Sequence, residues 1–273
     1  MVWRTPMQIE ELRIIGGVGK HGQSEPVAEI TMAMGDVVSI VGATGSGKTT
    51  LIDDIALFAH DNTPTRRRIL INGAAAPDDF LNDPSRNPVA FITQHTNFLS
   101  DLPVEEFLAV HAGIRRRDRI DSVMAETLDF ANQLTGEPID PRHGMTELSG
   151  GQTRALLIAD AVIIGNSPII LLDEIENAGI HRTRALELLK RYEKVFIFVT
   201  HDPRIALLSD FRVVMQNGAM TQVIRVHDEE RIVAEEIKKL DDLILFFRKQ
   251  IRDGQRLTHD MLAEKLTSAG YWN

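Results

Sequence analysis

Four short apolar runs punctuate the first two hundred residues: Val37-Val38-Ser39-Ile40-Val41, Val89-Ala90-Phe91-Ile92, Ile169-Ile170-Leu171-Leu172 and Val195 to Thr200. Each is rich in β-branched or aromatic residues and has no polar face, which predicts strands buried on both sides. The stretch from Gln8 to Val41 breaks into shorter strands around the turn Gly16-Gly17-Val18-Gly19, and Arg68 to Gly73 reads as an edge hairpin ending in a turn. Between the runs the pattern turns helical. One helix is predicted to begin near Lys48. A helical stretch runs from Asp101 to about Glu137, with Asp101 as N-cap before Pro103 and with Glu105 and Glu106 in the first turn. Alternating strands and helices predict an α/β domain with a mainly parallel sheet covered by helices. The helical stretch at about 97–148 is then an insert within a domain spanning 1–226.

The last part, 227–273, has a different pattern. Val233, Ile237, Leu240, Ile244, Phe247 and Ile251 are spaced 4, 3, 4, 3 and 4. That is one apolar stripe on a single long helix, stopped near Gly254. A second, shorter helix is predicted to start at Thr258, with Leu262 and Leu266 on one face, so the segment is expected to form a helical hairpin. The stripe covers about two and a half heptads, short of the ~3–4 that argue for a coiled coil. Packing on its own domain or on a dimer mate is the expectation, and a partner-binding helix the alternative.

Composition narrows the classes. With 43% hydrophobic and 25% charged residues in 273, the chain can bury a sizeable core. A formal net charge of −9 disfavours nucleic acid as a partner. The absence of cysteine excludes disulfides and Cys-ligated metals, and fits a cytoplasmic setting. No apolar run approaches the ~18–20 residues needed to span a bilayer, and the first residues do not read as a signal peptide. Direct membrane insertion is therefore not expected, and any membrane role has to come through a partner.

Gly42-Ala43-Thr44-Gly45-Ser46-Gly47-Lys48-Thr49 fits G-x-x-x-x-G-K-[ST] in full, after a strand and at the start of a helix. The glycines let backbone N–H groups approach phosphates, the helix N-terminus favours their charge, and Lys48 reaches the β- and γ-phosphates. Thr49 would place its hydroxyl on Mg²⁺, and Thr50 completes the loop's exit. Gly16 to Lys20 is only superficially similar: His21 follows the lysine and the spacing fails, so a plain β-turn is expected. Ile169 to Leu172 ends in Asp173-Glu174, which places Asp173 to hold Mg²⁺ and Glu174 where a water can line up with the γ-phosphate.

The order of the remaining motifs resembles the ATP-binding cassette family. After the P-loop come Gln94, then Leu148-Ser149-Gly150-Gly151-Gln152, then Asp173-Glu174, then His201 in Phe198-Val199-Thr200-His201-Asp202. The resemblance spans roughly Ile9 to Met220. It implies a RecA-like P-loop NTPase fold with an antiparallel β subdomain and the helical insert. It further implies two cassettes dimerising head to tail around ATP, and a full set of motifs permits a homodimer. Ser149 and Gly151, within the signature Ser149 to Gln152, would contact the γ-phosphate held on the partner, and the helix after Gln152 would aim its N-terminus at that charge. Gln94 would join Thr49 and Asp173 at Mg²⁺ and report the nucleotide to a docked partner. Glu174 would be the general base for water, with His201 holding the γ-phosphate and that water.

Three departures from the family pattern stand out. Glu11 to Pro26 has no aromatic to stack on adenine, only His21, so both ATP and GTP stay open. The loop after the carboxylate pair reads Asn177-Ala178-Gly179-Ile180, with Ile180 where the family has Asp, and Ile175 replaces a proline. Arg154 stands one position closer to the signature than in most transporter cassettes. Basic clusters at Arg66-Arg67-Arg68 and at Arg115-Arg116-Arg117 with Arg119 read as solvated surface, the second also as a docking face. Three functions compete: the ATPase subunit of a transporter whose transmembrane permease is another chain, placing this chain at the inner face of the membrane; a soluble ATPase that remodels or loads a cytosolic protein complex; and a nucleotide-dependent regulatory sensor, against which the intact Glu174 speaks. Chromosome-type cassettes carry a long coiled coil where this chain has only 100 residues between Lys48 and Leu148.

Overall fold

A strand with no polar face must be covered on both sides, and the fold meets that demand with a sheet between two cores. The computed structural model describes residues 8–93, 95–116, 118–174 and 182–272. The chain divides into two compact units, Met1–Arg225 and Val226–Asn273. In chain order the first unit contains β1 (Glu11–Ile15), β2 (Glu29–Ala33), β3 (Val37–Val41), α1 (Lys48–Ala56), β4 (Arg68–Ile71), β5 (Ala74–Ala75), α2 (Asp79–Asn82), β6 (Val89–Ile92), α3 (Val104–Arg115) and α4 (Ile120–Leu134). It continues through α5 (Gly150–Val162), β7 (Ile169–Asp173), α6 (Arg182–Leu189), β8 (Val195–Val199), α7 (Pro203–Leu208), β9 (Phe211–Gln216) and β10 (Ala219–Arg225).

The main sheet has six strands in the order β10-β9-β3-β8-β7-β6. The pairs β9–β3, β3–β8, β8–β7 and β7–β6 are parallel, and only β10 runs antiparallel, on β9. Successive side chains of a strand point to opposite faces, and the cores divide accordingly. Ile170 and Leu172 of β7 and Phe196 and Phe198 of β8 enter one core, with α5 residues Leu156, Ile158 and Val162 and α3–α4 residues Leu108 and Phe130. Ile169, Leu171, Val195, Ile197 and Val199 enter the other, with Leu51, Ile52 and Ile55 of α1. That second core also takes Leu12, Ile14, Ile30, Met32, Ile69 and Ile71 from an antiparallel sheet of order β2-β1-β4-β5. β4 and β5 form the hairpin expected at the edge of that sheet, turning at Asn72-Gly73, with β5 as the edge strand and β4 paired to β1.

The helical stretch holds two helices, α3 and α4, and the N-cap of α3 is Pro103, not Asp101. Arg116 Nε donates to Ile164 O (3.2 Å) just past the end of α5, where unpaired carbonyls attract a cation. In the second unit, α8 (Asp228–Arg252) ends ahead of Gly254, which has φ +73°. α9 (His259–Ser268) starts behind Thr258, whose hydroxyl accepts from Met261 N at 3.2 Å. The Lys265 ammonium sits 4.5 Å from the Phe246 ring centre and the Tyr271 hydroxyl donates to Glu236 O (3.2 Å), so α9 lies along α8. Among the described residues no helix is long and apolar enough to cross a membrane.

Candidate functional site

Parallel strands deliver all their C-terminal ends to one edge of the sheet, and open α/β sheets bind ligands there. Three adjacent strands end in the residues singled out above. β3 runs into Gly42 to Lys48, β7 ends at Asp173 with Glu174 next, and β8 leads to Thr200 and His201. β8 lies between the other two and registers Ile40 opposite Val199 and Asp173 opposite Val199, so the three ends are level.

The loop after β3 is shaped for close approach of a ligand to backbone. Gly42 (φ +154°) and Gly47 (φ +101°) occupy conformations unfavourable to side chains. A Cβ on Gly42 would lie 2.5 Å from Met215 O, and one on Gly47 would lie 2.8 Å from Gly218 Cα. Lys48 is buried, and its ammonium donates to Gly42 O (2.9 Å) and Ala43 O (3.1 Å), holding its charge across the mouth of the loop. Ser46 Oγ is buried without a hydrogen-bond partner among the described residues. An unpaired buried hydroxyl is costly unless a ligand completes it, and together with the left-handed glycines and Lys48 it fits a phosphate chain. Ala43, Thr44, Gly45, Thr49 and Thr50 are exposed.

Glu174 has a left-handed backbone, φ +48°, a rare state for a residue with a Cβ. Its N–H donates to Val199 O (3.0 Å), anchoring it to β8. Its carboxylate Oε1 stands 3.6 Å from His201 Nε2, within ion-pair reach but too long for a hydrogen bond. Thr200 is buried and its N–H donates to Ile40 O (3.3 Å), tying the His201 loop to β3. Thr49 and Asp173 are hard oxygen donors, the type Mg²⁺ takes. Gln94, Ile175 and the segment Asn177 to Ile180 lie outside the described residues, as does Arg117.

The signature stands elsewhere, on the helical side of the sheet. Helix α5 begins at Gly150, ahead of Gln152 rather than after it, because Ser149 is its N-cap. The reason is a capping box: Gln152 N donates to Ser149 Oγ (3.3 Å) and Ser149 N to Gln152 Oε1 (3.0 Å). Gln152 also donates from Nε2 to Pro138 O (3.0 Å), and Ser149 and Gly150 are exposed. Within one chain the structure brings together the P-loop, Glu174 and His201, while the hydrogen bonds of Ser149 and Gln152 remain local.

Behind the P-loop lies a buried ionic cluster that the sequence pattern hid. Arg67 is fully buried, contrary to the expectation of a solvated arginine run. It donates to both oxygens of Glu25 (2.7 and 3.1 Å), to Asp54 Oδ2 of α1 (2.9 Å) and to Gly218 O (2.7 Å). Burial alone would lower the guanidinium's pKa, but the Glu25 and Asp54 carboxylates outweigh it and raise it. Gly218 N in turn donates to Ser46 O (2.8 Å), so the β9–β10 turn links the cluster to the phosphate loop. One signal was available: Asn217-Gly218, both with positive φ, is the dipeptide of a tight hairpin. The turn expected at Gly16 to Lys20 falls later in the chain: Gly16 N donates to Ala28 O (2.8 Å), Val18 pairs with Ser24, and the turn closes where Gly22 N donates to Gly19 O (3.0 Å), with Lys20 N donating to Asn217 O (2.8 Å).

Comparison with known proteins identifies the family of the fold. The family model described as "ABC transporter" matches residues 27–177. An uncharacterized ABC transporter ATP-binding protein of Methanocaldococcus jannaschii is 46% identical over 254 residues, covering 93% of this chain and 97% of the relative. The lipoprotein-releasing system ATP-binding protein LolD of Bordetella pertussis is 28% identical, covering 70% of this chain and 84% of its own. The macrolide export ATP-binding/permease protein MacB of Bartonella henselae is 30% identical over 84% of this chain, which spans only 34% of that larger protein. Among solved structures, the dimeric post-hydrolysis state of the ATP-binding cassette MJ0796 bound to ADP and Pi superimposes with a TM-score of 0.61 over 79% of this chain and 99% of that one, at 23% identity. The chain belongs to the ABC transporter ATP-binding family.

Proposed function

We propose that the chain is an ATP-hydrolysing cassette that closes head to tail on a second cassette and drives a transmembrane permease carried on another polypeptide. The observation that supports it most is the alignment of the P-loop, Glu174 and His201 at three adjacent strand ends, with the signature exposed on a separate helix. On this reading Gly42 to Thr50 hold the phosphates of ATP. Lys48 leaves its two loop carbonyls for the β- and γ-phosphates. Thr49, Asp173 and Gln94 would hold Mg²⁺, which when bound neutralises phosphate charge. Glu174 polarises the attacking water, and His201, 3.6 Å away, holds that water and the γ-phosphate in line. The first-turn N–H groups of α5 and the Ser149 hydroxyl complete the γ-phosphate site of the other cassette, where a helix N-terminus favours negative charge. The N-terminal and signature-bearing parts are thus complementary halves of two composite sites.

The relatives named above favour a membrane partner, since one carries its own permease and another belongs to a releasing system. The test is a pull-down with Glu174→Gln, expected to bind ATP but hydrolyse it slowly, from separate membrane and soluble extracts with Mg²⁺-ATP and without nucleotide. Recovery of an integral membrane protein supports the proposal. Recovery of soluble proteins alone rejects it in favour of a cytosolic remodelling role.

A further inference from the structure

Helix α8 carries an apolar stripe that α9 leaves uncovered. Val233, Leu240, Ile244 and Ile251 are 49%, 43%, 49% and 61% exposed, and Ile237 and Phe247 between them are half-buried. The contacts with α9 fall on another face, through Glu236 and Phe246. At about 100° per residue, Phe246 lies roughly 140° and Glu236 about 60° from the centre of the stripe.

The stripe has a symmetry that selects its occupant. Val233, Ile237 and Leu240 lie nine, five and two residues before Asp242, and Ile244, Phe247 and Ile251 lie two, five and nine after it. An identical helix running the opposite way, about a two-fold axis level with Asp242, therefore sets Val233 against Ile251, Ile237 against Phe247 and Leu240 against Ile244. All six positions find an apolar partner in one register. The charges point the same way. Residues 228–236 hold five acids (Asp228, Glu229, Glu230, Glu235 and Glu236) and one base, Arg231, while 243–252 hold Arg248, Lys249 and Arg252 and no acid. Antiparallel pairing places the acidic end beside the basic end and opposes the helix dipoles; parallel pairing would stack like on like.

We propose that this stripe is a self-association seam, joining α8 of one chain antiparallel to α8 of a second copy without nucleotide. If the cassette dimer proposed above is right, such a seam would also keep two cassettes at an effective concentration on the order of millimolar between turnovers. The seam itself does not depend on that reading.

The chain has no cysteine, so one introduced thiol is unique. In a Lys48→Ala background without nucleotide, which silences the ATP-driven interface, Val233→Cys mixed with Ile251→Cys is expected to give a disulfide-linked dimer. Val233→Cys alone should not, because its two thiols would be about 27 Å apart along the axis. Sedimentation of the nucleotide-free protein at tens of micromolar should give a dimer, and Leu240→Glu with Ile244→Glu a monomer with unchanged circular dichroism. Both substituted positions are exposed, so the fold is expected to tolerate them. Self-cross-linking of Val233→Cys as efficient as the mixed pair overturns the antiparallel seam. A wild-type monomer at these concentrations, or a dimer that survives Leu240→Glu with Ile244→Glu, overturns self-association through α8 and leaves the stripe to a different protein or a lipid surface.

Discussion

Replacing Arg67 by methionine removes a positive charge from a site with no access to water. The guanidinium satisfies both Glu25 oxygens, Asp54 Oδ2 and Gly218 O, and its side chain and that of Glu25 are fully buried. After the change Glu25 retains N–H bonds from Gly17 (2.8 Å) and Met220 (2.6 Å), and Asp54 retains, among the described residues, the Thr65 hydroxyl (2.8 Å). Two buried carboxylates are then left without a counter-charge, and breaking such a pair from one side costs about 3–5 kcal/mol. For a unit the size of Met1–Arg225 that corresponds to a fall in melting temperature of about 10 °C. Urea unfolding followed by circular dichroism measures it. Adding Glu25→Gln to Arg67→Met should restore about 1–2 kcal/mol, because the uncompensated charge goes with it. A loss below about 1 kcal/mol for Arg67→Met, or strictly additive losses in the double variant, would refute the reasoning.

Gly47→Ala forces a Cβ onto a backbone at φ +101° and to within 2.8 Å of Gly218 Cα. Affinity for a fluorescent ATP analogue should fall about tenfold or more with secondary structure retained, since 1.4 kcal/mol of loop distortion suffices for that; unchanged affinity would mean the loop does not cradle the phosphates. Lys194 donates to Asn166 Oδ1 (2.7 Å) and Ser167 O (3.1 Å), and burial, helped by the Arg116 charge, lowers its pKa to about 8. The folded value lies below the ordinary 10.5, so the folded state disfavours the proton. Stability relative to Lys194→Met should therefore rise between pH 8 and about 10.5, by on the order of 3 kcal/mol, and stay level below that window. Denaturation of both proteins at pH 7 and pH 10 checks the sign, and a pH-independent difference would count against it.

Much of the candidate site was legible because the chemistry proposed for it needs residue types at fixed spacing. The P-loop follows a strand and opens a helix, and Asp173-Glu174 closes an apolar run, so each motif announced its own element. The two-faced burial of β7 and β8 was equally visible in their unbroken apolar runs. Less was written in local pattern where a long-range partner decides. Arg67 sits between two other arginines and reads as solvent-facing, yet Glu25, 42 residues earlier, and Asp54 draw it inside. The start of α5 at Gly150, by contrast, is set locally, by the capping box between Ser149 and Gln152, a pairing the signature's family reading passed over. Asp101 has the chemistry of a cap but Pro103, two residues on, holds that position. In the second unit the spacing of the stripe was readable, but which face α9 would leave exposed depended on contacts at Glu236 and Phe246 that spacing does not encode.

The most direct test of the account is phosphate release by the purified chain with Mg²⁺-ATP, wild type beside Glu174→Gln, with ATP binding measured on both. The account predicts hydrolysis by the wild type, and a variant that binds ATP as well but turns over about 10²–10⁴-fold more slowly, the range expected on losing a general base. Turnover by Glu174→Gln at the wild-type rate would contradict it, as would a wild-type chain that binds ATP and never hydrolyses it.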